Sequence, residues 1–225
     1  MAIRVLDISN ASKSVDDSDG IVGQLVNGVG RPPNDYRDLK ALALRFDDLD
    51  IAEKFYQAFE SAGVAVVLED HGEKRPHHVI LDEGVKLPFK VNFLRTRMEL
   101  HSRADFALVR ECDGVTMADG AECVCAKLAD HGTQEMRKAQ GDGLACKPTG
   151  FIVGSVNLPG LEDYSVSFSK GSPSTVKPFC EVEDEFATPF TTKIGLREAE
   201  NKKMGNKWSV PTFSETKAVE DDGPF

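Results

Sequence analysis

The chain has 225 residues and 24.6 kDa, enough for one or two domains. With 40% hydrophobic and 28% charged residues it can bury a core without a disulfide framework. Its apolar runs are too short for a membrane helix, and the N-terminal MAIRVLDISN has no signal-peptide core, so membrane and secreted classes are set aside. Thirty-seven acids against twenty-seven bases leave −10, which argues against a histone-like coat on a polyanion but leaves local cationic surfaces open.

In chain order, SKSVDDSDGIVGQLVNGVGRPPND reads as loop, and residues 1–30 are expected to be a flexible N-terminal segment. A helix is expected over Asp50–Ala62: Asp48 or Asp50 caps it, Ile51, Phe55 and Phe59 share a face, and Gly63 stops it. VAVVLED, HHVILDEG, KVNFLRTRMEL and ADFALVREC follow as strands. Residues 113–148 are irregular, rich in Gly, Asp and Cys. Strands resume at FIVGSVNL and YSVSFSK, a short helix is expected over Pro173–Phe179, and TTKIGLREAE and KWSVPTF form a closing hairpin around NKKMGN. This order predicts a mainly β (α+β) domain over residues 31–213, a small antiparallel OB-like barrel or sandwich with one or two helices and a cysteine-rich loop at 112–146. Residues 214–225 are expected to be a disordered acidic tail.

Charge is segmented. Residues 1–72 carry a net −6, Lys86–Arg110 a net +4, Lys193–Lys207 a net +3, and the final AVEDDGPF −3. The two basic segments suggest a groove on a sheet for single-stranded DNA: Lys86, Lys90, Arg95, Arg97 and Arg103 from one, and Lys202, Lys203, Lys207 and Trp208 from the hairpin. Phe89, Phe93, Arg95 and Arg97 share odd-number parity, so a regular strand puts them on one face. The bland alternative is solvated strand charges with Phe93 and Phe168 packed in the core; Trp208, beside a basic turn, is the better stacking candidate.

Four of the five cysteines, Cys112, Cys123, Cys125 and Cys146, are spaced C-x10-C-x-C-x20-C. Four thiolates complete a tetrahedral zinc shell, and a long loop poor in apolar residues needs a staple. His131 or His101 could replace one sulfur. The alternative is buried free thiols, a disulfide being disfavoured without a secretion signal. Such a zinc is structural, because a closed shell leaves no position for an activated water. Cys180 reads as a small core residue.

RPPNDYRDLKALALRFDD, ALVRECDGVTMADGAECVCAK and ACKPTGFIVGSVNLPGLEDYSVSFSKG resemble phage recombination directionality factors, the partners of large serine integrases. The likeness spans roughly Arg31–Lys177 and is strongest over Arg110–Gly171, with its R-x-C-D-G, C-x-C, A-C-K-P-T and L-P-G-L steps. It implies a metal at the same four cysteines with Arg110, Lys147 and Thr149 beside it, a serine integrase as partner, and the cytoplasm of a bacterial host cell as location. The terminal EDDGPF resembles the tip of bacterial-type single-stranded DNA-binding proteins. By that likeness Glu220, Asp221, Asp222, Pro224 and Phe225 would dock onto replication or repair proteins, the acids supplying attraction and the terminal ring and carboxylate an anchor.

The expectation is therefore a non-enzymatic phage or prophage protein with structural zinc that binds single-stranded DNA in replication or recombination, with self-association left open. The alternative is a directionality factor that switches an integrase to excision, which needs no positive charge. A metal hydrolase is disfavoured: His77 and His78 are adjacent in a strand and point to opposite faces, and neither a G-x-S-x-G nor a Walker loop is present.

Overall fold

The computed structural model describes residues 20–27, 41–70, 76–101, 108–112, 145–203 and 205–219. Ten strands and two helices are found among them: β1 (Ile21–Asn27), β2 (Leu42–Phe46), α1 (Leu49–Ser61), β3 (Val66–Glu69), β4 (His77–Leu81), β5 (Leu87–His101), β6 (Leu108–Cys112), β7 (Ala145–Val156), β8 (Ser165–Lys170), α2 (Pro173–Glu185), β9 (Phe190–Asn201) and β10 (Asn206–Ala218). The fold is mainly β. Nine strands follow one path, β10-β9-β5-β7-β8-β1-β2-β4-β3, and β6 pairs with β5. The sheet curls into a half-barrel.

The strand pairs are antiparallel except β1–β8, which is parallel. The all-antiparallel expectation is corrected at that point. β1 inserts between β8 and β2, so residues 21–27 belong to the middle of the sheet and not to a flexible opening. IVGQLVN is short and holds a glycine, so its alternation was masked by the Ser/Asp/Gly/Pro-rich residues around it. β10 likewise runs on to Ala218, five residues past the expected domain end. Residues 214–218 pair with β9 through Ser214↔Lys193, Lys217↔Thr191 and Ala218↔Phe190.

In β2 one face carries the buried Leu42, Leu44 and Phe46, and the other carries the buried Ala43 and the exposed Arg45. The first face also carries Leu25, Val79, Leu81, Leu87, Phe89, Val91, Ile152, Val166, Phe168, Phe190 and Ile194. Both helices cover it. Asp48 caps α1 as expected, its Oδ1 accepting from the Ile51 N–H at 3.2 Å. The helix buries Ala52, Phe55 and Phe59, and the Phe55 ring lies 4.7 Å from Phe46. Gly63, at φ 71°, turns the chain out of it.

α2 begins at Ser172–Pro173 as expected but continues through Pro178 to Glu185. A proline in a helix interior forfeits one backbone hydrogen bond, and burial offsets that loss. Phe179 is fully buried, with ring centroids 5.7 Å from Phe168 and 5.2 Å from Phe213. Each such ring contributes about 1.5–3 kcal/mol. Gly150 makes the approach possible, because a Cβ there would sit 2.5 Å from the Phe179 ring.

Lys170 lies on this helix-covered face, its Nζ 5.0 Å from the Phe168 ring centroid. Burial lowers its pKa from 10.5 to about 8. The unfolded chain therefore binds more protons than the folded one between those values. Its contribution to stability should rise as pH climbs from about 8 toward 10.5. Urea midpoints of wild type and Lys170→Met at several pH values test this: the wild-type deficit relative to the variant should shrink over that window, and a pH-independent difference would refute it.

Candidate nucleic-acid interface

β5 carries Lys90, Arg95 and Arg97 of the sequence-predicted basic residues, and its register decides which face they occupy. Its pairing with β7 runs Phe89↔Val156, Lys90↔Ser155 and Val91↔Gly154, then jumps to Phe93↔Val153, Leu94↔Ile152 and Arg95↔Phe151. Asn92 is thus the extra residue of a β-bulge, and one extra residue reverses the in–out parity of everything after it. Phe89 is 0% exposed in the core, whereas Phe93 is 39% exposed on the opposite face. The expectation that Phe89, Phe93, Arg95 and Arg97 share a face is corrected: Phe89 leaves the set and Lys90 joins it. The expectation of a core Phe93 is also corrected, while Phe168 is indeed buried.

The face opposite the helices has a defined pattern. Phe93 and Phe151 make an edge-to-face pair with centroids 6.2 Å apart. Lys90 lies to one side of them, exposed and without an ion-pair partner among the described residues. Arg95 stands directly across from Phe151. Next comes a polar strip from β7 and β8 in which Ser155 pairs with Ser165, Val153 with Ser167 and Phe151 with Ser169.

Arg97 is on the same face, but its charge is already engaged. Its Nε donates to Glu99 Oε1, and the Thr149 hydroxyl donates to Glu99 Oε2 at 2.9 Å. Glu99 is buried, so this pair fixes the far end of β5 and leaves Arg97 a weaker phosphate ligand than Lys90.

On its other side, β5 pairs with β9 over Leu87–Val91 and with β6 over Met98–His101. Between them α2 supplies the missing acceptor: Glu183 takes hydrogen bonds from the Thr96 N–H and the Thr96 hydroxyl. Burial pushes the Glu183 carboxyl up, the Thr96 bonds opposing it. Burial also pushes the neighbouring Cys180 thiol up, which disfavours its thiolate.

The remaining expected residues are dispersed. Lys86 donates to the Ser214 hydroxyl at 3.1 Å. Lys202 and Lys203 are exposed in the β9–β10 turn. Lys207 pairs with Glu198 at 2.8 Å. Trp208 is half-buried, and its indole N–H is buried with no partner among the described residues. The hairpin is therefore a poorer cationic platform than its composition suggests.

Cys112 stands opposite Met98 on β6, and Cys146 opposite Leu100 on β7, one on each side of β5. Cys123, Cys125, His131, Arg103 and the tip residues Glu220, Asp221, Asp222, Pro224 and Phe225 lie outside the described residues. Among those described, no three His, Cys, Asp or Glu side chains gather around a metal position, and no helix is long and apolar enough to cross a membrane. His77 is buried with its Nδ1 3.0 Å from Asp70, while His78 takes the other face. A groove of about 450 Å³ lies elsewhere, between α2 and β10. Its rim acids Glu181 and Glu215 are paired with Lys177 and Lys193.

No protein-family model, curated protein or solved structure matches the chain.

The bulge is held by Gly154, where a Cβ would lie 2.0 Å from the Lys90 carbonyl oxygen and 2.6 Å from the Phe89 ring. Gly154→Ala should lower stability by about 1–3 kcal/mol, read as a reduced urea midpoint. An unchanged midpoint would show that the bulge is not tightly constrained there.

Proposed function

We propose that this protein binds single-stranded DNA on the sheet face opposite its helices, without catalysing a reaction. The observation that carries this reading is the partly exposed Phe93 ring, paired with Phe151 and flanked by Lys90 and Arg95. An aromatic ring on a strand face can stack on any base, and nearby cations attract the backbone without reading sequence. The curled half-barrel is taken as an OB-like version of such a platform. The acidic tip, Glu220–Phe225, serves in this reading as a docking peptide for replication or repair proteins.

Binding of fluorescent oligothymidylate, against a duplex of equal length and across salt concentrations, tests the reading. Single strands should bind more tightly, and binding should weaken with salt. Phe93→Ala should cost about 1–3 kcal/mol of affinity. Absence of binding at low salt by the folded wild type would overturn it.

A second reading, a directionality factor acting on a serine integrase, is favoured by the run of motifs over Arg110–Gly171 and by the net charge of −10. Integrase capture by a protein that binds no DNA would select it.

In either reading Cys112, Cys123, Cys125 and Cys146 are proposed to hold structural zinc. β6 and β7 flank β5, and Cys112 and Cys146 stand opposite Met98 and Leu100, so their backbones lie two inter-strand spacings and two residues apart, about 12 Å. Native mass spectrometry should find one zinc per chain, lost in Cys123→Ser/Cys125→Ser with reduced thermal stability. A metal-free native chain would remove zinc from the account.

A further inference from the structure

One row of residues crosses the sheet on the face opposite the helices. Strand register links Phe93 to Val153, Val153 to Ser167, Ser167 to Gln24, and Gln24 to Arg45. The row begins at an aromatic ring on β5 and ends at a cation on β2. Between them stand one valine, one serine and one glutamine, with Ser155 and Ser165 in the neighbouring row. The side chains in the middle are uncharged, with Ser167 and Ser155 themselves buried, while the exposed aromatic ring and the exposed cation stand at the two margins. Arg45 is exposed and, like Lys90, has no ion-pair partner among the described residues. In a chain of net charge −10, two such cations at opposite ends of a polar strip are a specific arrangement.

We infer that Arg45 is the far phosphate contact of this site, and that bound single-stranded DNA runs across the β-strands from Phe93 toward β2. This rests on the binding reading above and adds to it the path, the extent and a residue from a segment whose overall charge is acidic. Four inter-strand spacings separate β5 from β2, about 19 Å along the sheet. That span fits a site of about four nucleotides, the low end for a platform of this kind. Gln24, exposed beside Arg45, offers both an amide donor and an acceptor to a base or sugar on the way.

The test is a length series of oligothymidylates, from two to eight nucleotides, against wild type, Arg45→Gln, Lys90→Gln and Phe93→Ala. Arg45→Gln should bind the eight-nucleotide probe several-fold more weakly than wild type and lower its salt slope by about 0.7, one phosphate contact on a single strand. It should match wild type on the dinucleotide, which cannot reach from Phe93 to β2. Lys90→Gln and Phe93→Ala should weaken long and short probes alike. If those two lose binding while Arg45→Gln matches wild type at every length, this path is wrong and the binding reading stands. If wild type binds no probe, both fall. An unchanged urea midpoint for Arg45→Gln, expected for an exposed side chain, separates lost contact from lost fold.

Discussion

One extra residue, Asn92, governs the rest of the molecule. Before it, β5 turns Leu87, Phe89 and Val91 into the core; after it, the strand turns Phe93, Arg95 and Arg97 to the opposite face. A regular strand would have placed Phe93 and the two arginines against the helices. Burying unpaired guanidinium groups there would cost several kcal/mol each. The bulge removes that conflict, and Gly154 permits it, since any side chain at that position would strike the Lys90 carbonyl. Core and candidate binding surface are thus two consequences of one backbone irregularity.

Beyond the bulge β5 also leaves polar groups to be satisfied, and two glutamates do so differently. Glu183 reaches from α2 to the stretch of β5 that neither β9 nor β6 covers, accepting from the Thr96 backbone and hydroxyl. Glu99 holds Arg97 and Thr149 on the other face. Both carboxylates are spent on strand geometry and neither is placed for acid–base chemistry. Single-residue loss at either position would orphan a buried partner, the costly direction of the hydrogen-bond asymmetry.

The sequence made α1 legible because its cap, its apolar stripe and its stop all agree, and most strands from β3 to β10 because runs of β-branched and aromatic residues are bounded by turn residues. β1 was hidden by its Gly and Asp neighbours. The true face of Phe93 was hidden for a stronger reason: parity arguments assume an unbroken period of two, and a bulge has no signature in the strand that carries it. The available hint was on the partner strand, in FIVGSV, where Gly154 interrupts an otherwise β-branched and aromatic run. Arg45 is not legible as a surface cation because its segment is acidic overall, and segment charge does not report which face a single residue takes. Composition also overstated the hairpin, where Lys207 is offset by Glu198.

In the proposed reading, a net charge of −10 and a strand face carrying Lys90 and Arg45 are compatible if most of the acids lie elsewhere. The last turns of α2 carry Glu181, Glu183, Asp184 and Glu185; Glu183 is near enough to Arg95 for their charges to interact, whereas Lys90 and Arg45 have no ion-pair partner among the described residues. Packed layers are spaced about 10 Å apart, while the screening length at physiological ionic strength is about 8 Å. A phosphate approaching the strand face therefore feels the nearby cations more than the helix acids behind them. The same acids repel a polyanion from the helix side. On the proposed reading, the −10 of the whole chain would discourage a nucleic acid from wrapping the molecule and favour the face where the Phe93 ring is exposed.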